Sequence, residues 1–179
     1  ELPDGITEIP VNAFRGCESL TSLDIPSGIT SIGEGAFQGS GLQSVTFPEA
    51  VQEVSPRVFR SCTNLSSVTL SPQTAMIGAQ AFMGCTSLKS IDLPATLSYV
   101  DAEAFANTDL TDVTSMATDP PYLDNKNVFT QSTYDNAKLS VPESALDSYK
   151  TDEKWSLFKN IGNVTTSIGS INEDGTTQE

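Results

Sequence analysis

A single segment recurs along this chain at a nearly constant spacing. Residues 81–94 read Ala-Phe-Met-Gly-Cys-Thr-Ser-Leu-Lys-Ser-Ile-Asp-Leu-Pro, with close copies at 13–26 and 58–70 and a shortened copy at 36–48. The phenylalanine of the motif returns after every 22 or 23 residues, at Phe14, Phe37, Phe59, Phe82 and Phe105. A fixed period in the twenties predicts a solenoid, in which each coil buries its apolar side only by stacking on its neighbours.

Each repeat contains two short extended pieces and one compact turn. Leu23-Asp24-Ile25 alternates apolar and polar residues as a half-buried strand does, and Pro26 ends it because proline cannot donate to a neighbouring strand. Residues 29–32 form a second extended piece. Residues 33–39 are too few for a stable α-helix and predict a 3₁₀-like turn. The expected architecture is a repeat solenoid, mainly β with short 3₁₀ or helical turns.

The copy that begins at Leu65 departs from this pattern. Ser71-Pro72 moves the proline by one position, and Thr74 stands where the earlier copies have Ile29 and Val51. We therefore expect a local bulge or weaker packing over residues 72–75.

The regularity of the repeats predicts three regions. Ser115 replaces an apolar strand end, so the regular array is expected over residues 1–115. Residues 116–164 predict a degenerate last coil and a C-terminal cap, and residues 165–179 are polar enough for a flexible tail or linker. The chain opens in the second half of a repeat, so we expect further residues upstream of Glu1.

The region 116–164 retains echoes of the repeat. Residues 118–122 predict a rigid extended connection, Val128-Phe129 the turn of the degenerate coil, and residues 139–142 the last strand of the stack. Short helical segments are expected at 144–150 and 153–158. Four apolar residues can cover the open end of the stack: Tyr149, Trp155, Phe158 and Ile161. For Trp155, a role in this cap is favoured over a platform for a sugar.

The three cysteines share one repeat position. Cys17, Cys62 and Cys85 each lie three residues after a marker phenylalanine. A structural zinc site needs four ligands, and the chain has three thiols and no histidine. Cys62 and Cys85 would lie about one strand spacing (~4.8 Å) apart, so a disulfide between them is geometrically possible. The favoured interpretation is a ladder of small buried thiols.

The composition argues against most chemistry. Without histidine the chain cannot build a Ser-His-Asp, Cys-His or His-metal site. Only nine Lys and Arg against a net charge of −14 disfavour nucleic acid, and no stretch approaches the ~18 to 20 apolar residues of a membrane span.

Paired carboxylates could hydrolyse a glycoside, but their expected placement does not favour it. Asp24 and Asp92 would lie roughly 14 Å apart, beyond the ~5 to 9.5 Å of glycosidases. Asp92 and Asp112 belong to neighbouring coils but are offset by two residues. We predict no enzymatic activity, no metal and no cofactor.

Polar residues that alternate with the apolar ones define a candidate binding face. One column contains Ser22, Ser44, Ser67, Ser90 and Asp112, and the other contains Asp24, Thr46, Thr69, Asp92 and Thr114. On the second extended piece the surface positions are Thr30, Glu53, Met76 and Tyr99, and Tyr99 is the aromatic residue of that set. The columns lack the Tyr, Trp and Arg anchors of tight sites, so binding should be weak and multivalent. The alternative is that these are simply tolerated surface residues of a sheet.

The unit Ala-Phe-x-Gly-Cys-x-Ser-Leu-x-Ser-Ile-x-Leu-Pro resembles the BspA-like, or treponemal-type, leucine-rich repeats of bacterial surface proteins, over roughly residues 1–115. The ending Leu-x-Val-Pro with the four cap residues is similar to the C-terminal cap of such proteins. The resemblance implies a right-handed leucine-rich-repeat stack of about five to six coils with a C-terminal α/β cap. It also implies an extracellular or cell-surface location in a bacterium, and it supplies no catalytic residues.

These observations predict a noncatalytic module for adhesion, binding surface proteins or glycans of a host or of neighbouring bacteria, as a monomer. The alternative is a structural spacer that presents another domain of a larger surface protein. A carbohydrate-active enzyme is the third and least favoured hypothesis.

Overall fold

The computed structural model describes residues 2–164. We divide them into six coils, each ending with its turn segment, at 2–16, 17–39, 40–61, 62–84, 85–107 and 108–130, and a cap at 131–164. The strands are β1 (Glu8–Ile9), β2 (Ser31–Ile32), β3 (Ser44–Thr46), β4 (Glu53–Val54), β5 (Ser67–Thr69), β6 (Met76–Ile77), β7 (Ser90–Leu93), β8 (Tyr99–Val100), β9 (Asp112–Ser115), β10 (Tyr122–Leu123), β11 (Lys138–Val141) and β12 (Asn160–Asn163). The cap holds helices α1 (Gln131–Asn136) and α2 (Leu146–Thr151) and two 3₁₀ segments, Glu143–Ala145 and Trp155–Leu157.

Each coil from the third to the sixth contributes a first strand and, after a short loop, a second strand. The first strands pair as β3-β5 and as β7-β9-β11-β12, and the second strands pair as β1-β2 and as β4-β6-β8-β10. All these pairs are parallel and in register, so equivalent residues of successive coils lie side by side. The predicted repeat solenoid, mainly β, is confirmed.

The turn segments combine two kinds of backbone hydrogen bond. In coil 2, Ala36 N–H donates to Gly33 O within the coil (3.1 Å), whereas the next residue, Phe37, donates to Val58 O of coil 3 (2.9 Å). This alternation continues along the segment, so the i+3 bonds of the predicted 3₁₀-like turn form at every second residue and no continuous 3₁₀ helix results. Left-handed residues flank the segment, at Gly35 (φ 61°) and Gly39 (φ 66°) in coil 2.

The hydrogen bonds between turn segments cross junctions at which the sheets are interrupted. Among residues 2–164, no sheet pairs coil 2 with coil 3, and only the second strands pair between coils 4 and 5. At both junctions the turn bond is present, from Phe37 N–H to Val58 O (2.9 Å) and from Phe82 N–H to Ala104 O (2.8 Å). We call this column of bonds the turn ladder.

A stack of phenylalanine rings runs beside the turn ladder through the core. Neighbouring centroids are 5.2 to 5.7 Å apart and the ring planes are nearly parallel, in the order Phe14, Phe37, Phe59, Phe82, Phe105, Phe129. The five rings from Phe37 onward are buried, whereas Phe14 at the first coil is half-buried. The predicted match of Phe129 to the marker phenylalanines is confirmed.

The bulge expected over residues 72–75 does not form. Thr74 N–H donates to Ser71 O (3.0 Å), as Val51 N–H donates to Pro48 O (3.1 Å) in the preceding coil, and β4 and β6 remain in register. The backbone tolerates the displaced proline because the same turn closes. The departure from the repeat instead destabilises the site through a side chain, because the buried Thr74 hydroxyl has no hydrogen-bond partner among the described residues.

The C-terminal region adds strands that the sequence did not predict. Tyr122 begins β10, which pairs with β8, so the expected rigid connection contributes a strand. The strand expected at residues 139–142 forms as β11, in register with β9, but it is not the last one, because β12 pairs with β11 over its full length. Helix α1 was also not predicted. The tail predicted at 165–179 lies outside the described residues.

The predicted aromatic cap is confirmed. Tyr149, Trp155 and Phe158 are buried, and Phe158 meets the last ring of the phenylalanine stack, Phe129, edge to face at 5.2 Å. Trp155 is fully buried, which excludes the alternative of an exposed sugar platform, and its indole N–H donates to Pro121 O (2.7 Å). Ile161 is half-buried in β12.

Tyr149 also explains the polar residue at the end of β9. Its hydroxyl lies 2.7 Å from the hydroxyl of the buried Ser115 and donates to Ala117 O (3.1 Å). Ser115 therefore holds the cap onto the sixth coil, where earlier coils have an apolar residue.

We predict that Thr74→Val stabilises the protein by about 1–2 kcal/mol, because valine keeps the shape and removes an unpaired buried hydroxyl. Urea unfolding followed by circular dichroism measures the change. Ser71→Ala is the matched control, because the Ser71 hydroxyl donates to Glu49 O (2.7 Å) and its loss should destabilise. A destabilised Thr74→Val variant would contradict this account of the site.

We predict that the cap loosens in alkali. Burial raises the pKa of Tyr149 to about 12, whereas an unfolded tyrosine titrates near about 10. The unfolded state therefore loses its proton first, and the free energy of unfolding falls by roughly 1–2 kcal/mol as pH rises from about 10 to 12. Urea titrations across this range test it. Burial also raises the pKa of Tyr134 to about 12, so Tyr149→Phe should reduce the pH dependence without abolishing it, and an unchanged slope would refute the assignment.

Candidate functional site

The two predicted polar columns lie on the surface of the first strands. Along β3, Ser44 and Thr46 are exposed on either side of the buried Val45, and the later strands repeat this alternation. Because a strand sends successive side chains to opposite faces, one face packs in the core and the other meets solvent. Of the ten column residues, nine are exposed and Thr114 is half-buried.

The strand register shows which column residues are neighbours. Ser44 is paired with Ser67 and Thr46 with Thr69, while Ser90 is paired with Asp112 and Asp92 with Thr114. The expected two-residue offset between Asp92 and Asp112 is therefore present. Ser22 and Asp24 lie in coil 2, where the segment equivalent to a first strand is irregular. Their segment is held beside coil 3 by the hydrogen bond from Gln43 N–H to Thr21 O (3.1 Å).

The columns extend further than the sequence indicated. In the cap, Lys138 of β11 is paired with Asp112 and Ser140 with Thr114, and β12 adds Asn160 and Gly162. Because Leu139 and Val141 match the repeat, the sequence could have indicated that Lys138 and Ser140 continue the two columns. Nothing in the sequence of β12 follows the repeat, so its residues could not be found this way.

Two shallow clefts interrupt the first-strand face, each where neighbouring first strands are not paired. One, of about 190 Å³, lies between β5 and β7 and includes Thr69, Asp92 and the half-exposed Met116. The other, of about 270 Å³, lies between the irregular segment of coil 2 and β3, and includes Asp24 and Thr46. The clefts expose parts of core residues, so this face is not uniformly flat and polar.

The second strands carry a different column. The register pairs Glu53 with Met76, Met76 with Tyr99, and Tyr99 with Tyr122. In coil 2 the equivalent residue is Ser31, paired with Glu8, so the assignment of Thr30 was wrong by one position. Tyr122 was missed, although it follows Tyr99 by the repeat spacing of 23 residues.

Tyr99 and Tyr122 form a stacked pair at the end of this column. Their ring centroids lie 5.7 Å apart, and Lys154 Nζ lies 4.3 Å above the centroid of the Tyr122 ring. Tyr99 Oη donates to Asp124 (3.3 Å). Partial burial, and then the carboxylates of Asp101 and Asp124, raise the pKa of Tyr99. Aromatic edges beside carboxylates are thus exposed near the C-terminal end of the stack.

The cysteine column is partly as predicted. Cys62 and Cys85 are buried free thiols, and each donates to the carbonyl of the marker phenylalanine 25 or 26 residues earlier, Phe37 at 3.0 Å and Phe59 at 3.1 Å. Cys17, in contrast, is exposed, because no coil covers it among the described residues. Burial raises the pKa of the Cys62 and Cys85 thiols, which keeps them protonated and poor nucleophiles.

Residues 2–164 contain neither a metal-binding cluster nor a membrane-spanning helix. That range contains no cluster of three or more Cys, Asp or Glu side chains suited to a metal ion. It also contains no helix long and apolar enough to cross a membrane.

The comparisons with known proteins agree with this geometry. Residues 1–140 match the BspA type leucine rich repeat region, in six copies. No curated protein matches the chain.

Solved structures with the same kind of repeat are similar to this one. A leucine-rich repeat protein from Bacteroides ovatus is 21% identical over 92% of this chain and 54% of its own, with a TM-score of 0.57. A second, from Bacteroides capillosus, is 29% identical over 63% of this chain and 79% of its own, with a TM-score of 0.47. The chain spans about half the length of the Bacteroides ovatus protein, and that likeness concerns the fold alone.

We predict that the three thiols differ in reactivity. In the native protein Cys17 should be modified by iodoacetamide at the rate of a free peptide thiol, whereas Cys62 and Cys85 should react at least about 100-fold more slowly, since they require local opening. Peptide mass spectrometry with and without urea measures each site. Fast native modification of Cys62 or Cys85 would contradict the burial described here.

Proposed function

The chain belongs to the BspA-type leucine-rich repeat family, and from this premise we propose that it is a noncatalytic adhesion module of a bacterial surface. Leucine-rich repeat proteins are typically interaction modules, and proteins of this family are typically associated with the bacterial surface. In this proposal the chain binds proteins or glycans of a host or of neighbouring cells through its first-strand face.

The observation that carries the proposal is the exposed, in-register face of the first strands with its two clefts. Small side chains such as Ser44, Thr46 and Thr69 leave the backbone accessible and cost little entropy on ordering. The clefts add apolar surface from the core at two points about two coils apart, or roughly 10 Å at strand spacing. A partner that spans both points gains contact with apolar patches that a flat polar sheet would not offer.

A single copy of the module should bind its partner with low affinity. The columns contain no Trp, Tyr or Arg, the residues that most often anchor tight interfaces. Multivalent display on a cell raises the overall avidity by about 100- to 10,000-fold over a single contact when the geometry permits. Adhesion is a function in which such display is available.

A structural spacer is the second candidate. The turn ladder and the phenylalanine stack continue through all six coils, which suits a rod that holds another domain at a distance. On this alternative the column residues have no partner, and only the number of coils matters.

We predict that Thr46→Arg/Thr69→Arg weakens adhesion at least about tenfold, because two long cations on neighbouring strands block the first-strand face. The protein is displayed on beads, and bead retention is measured on purified extracellular-matrix proteins and on a glycan array. Multivalent display is needed to detect a weak single contact.

The matched control is Gln52→Arg/Gln73→Arg, which adds the same charge at exposed positions of the same two coils outside the first strands. If the adhesion proposal is correct, beads carrying this control variant are retained as well as beads carrying the unchanged protein. Retention on none of the surfaces, or equal retention of both variants and the unchanged protein, would sink the adhesion proposal and favour the spacer.

A further inference from the structure

All three arginines of the chain line one pocket. Arg15, Arg57 and Arg60 come from coils 1 and 3, and they surround a cavity of about 210 Å³ on the turn segments. The chain has only nine basic residues and a net charge of −14, so a scattered surface charge does not account for this convergence. The pocket lies on the turn segments, apart from both strand faces.

The middle coil leaves room for the cavity. Coil 2 has Gly35 at the position where coils 1, 3 and 4 have Asn12, Arg57 and Gln80. Gly35 adopts φ 61°, and a Cβ atom there would lie 2.6 Å from Asn12 Oδ1. Gly35 therefore leaves a depression in the surface beside Arg57. Arg15 and Arg60 occupy equivalent positions two coils apart, about 10 Å at strand spacing, and Gln38 of coil 2 lies between them.

Two of the arginines are held in place by side chains of neighbouring coils. Arg57 forms an ion pair with Glu34. Arg60 Nη1 donates to Gln80 Oε1 (3.1 Å), and Gln80 Nε2 donates to Glu103 Oε2 (2.7 Å). Such a relay fixes the Arg60 guanidinium while leaving its other N–H groups available, since guanidinium has five donors.

The pocket carries a net positive charge. Three guanidinium groups and the single carboxylate of Glu34 leave a charge of +2. Glu34 is engaged by Arg57, and within residues 2–164 the side chain of Arg15 makes no hydrogen bond or ion pair. Arg15 and Arg60 thus offer unused donors to the same small volume.

From this geometry we infer that the arginine pocket is a binding site for a tetrahedral oxyanion, a sulfate or phosphate group. Guanidinium groups bind such oxygens with paired, charge-assisted hydrogen bonds. The cavity is roughly seven times the ~30 Å³ that one water occupies in the liquid, so it accommodates the anionic group and part of the molecule that carries it.

The surrounding charge selects the kind of carrier. The acidic remainder of the chain repels a long polyanion, and this repulsion acts within the Debye length of about 8–10 Å around the pocket. A single ester on an otherwise neutral sugar meets only the local +2 charge. The pocket therefore suits a monoester on a neutral saccharide better than a heavily sulfated chain.

The test is titration calorimetry with four probes: galactose 6-sulfate, galactose 6-phosphate, unmodified galactose and inorganic sulfate. We expect saturable binding of an ester, with a dissociation constant of about 1 mM or tighter, and none of galactose. The stronger ester identifies whether the group is a sulfate or a phosphate. If inorganic sulfate binds as tightly as the esters, the oxyanion site stands and the free ion is its ligand.

Two variants locate the site. Arg15→Ala/Arg60→Ala should weaken ester binding at least about tenfold, the effect of losing charge-assisted hydrogen bonds. Gln38→Glu keeps every arginine and adds a carboxylate to the pocket lining, and it should have a similar effect even if the double variant folds poorly. Circular dichroism verifies the fold of each variant.

The control is Lys126→Ala/Lys150→Ala, which removes the same total charge from exposed residues outside the pocket. This control should bind the ester within about twofold of the unchanged protein, because distant surface charges are screened. Equal weakening in the control and in Arg15→Ala/Arg60→Ala would overturn the proposal. So would the absence of saturable binding of any anion in the millimolar range.

Discussion

Backbone hydrogen bonds between successive turn segments connect every pair of neighbouring coils in this solenoid, including the pairs whose strands are not joined. A coil of about 23 residues cannot bury an apolar side alone, and its short strands offer only two to four residues to a partner. The turn ladder joins the coils even where strand pairing is absent, because alternate N–H groups of each turn segment donate to the next coil. This geometry requires left-handed residues at both ends of the segment, and non-glycine residues such as Arg57 and Ser61 accept that conformation.

Much of the fold followed from the spacing of one residue type. The marker phenylalanines are equivalent because each ring stacks on the next, so their period predicts the coils and even the degenerate one at Phe129. The sequence was less informative where a departure from the repeat affects a side chain but leaves the backbone unchanged. Thr74 looked like a site of backbone disturbance, yet the turn closes normally and only the hydroxyl is left without a partner. Strand β12 could not be predicted because its pairing depends on the cap and not on the motif.

Among the candidate surfaces, some residues were predictable from the repeat and others were not. The polar columns were predictable, since alternation along a strand fixes which side chains face outward. Tyr122 was not predicted to join the column, because the two preceding prolines indicated an extended connection between elements. Its spacing of 23 residues from Tyr99 does indicate the equivalent repeat position. The arginine pocket arises where the copies differ: Gly35 opens a space that the equivalent Arg57 and Gln80 would fill. Whether the column residues bind a partner depends on chemistry that neither periodicity nor register determines.

The interruptions between first strands have a mechanical consequence. Between β5 and β7 the solenoid is joined by its turn ladder and its second strands, while the opposite side is joined only by side-chain contacts. A rod fastened along one side bends most easily in the direction that opens the other. Between coils 2 and 3 neither set of strands is paired, and besides the turn ladder only two backbone bonds, from Gly41 N–H to Cys17 O and from Gln43 N–H to Thr21 O, join the first-strand side. Resistance to bending along the first-strand side therefore differs from one junction to the next, and both clefts lie at the junctions where that side has no paired strands.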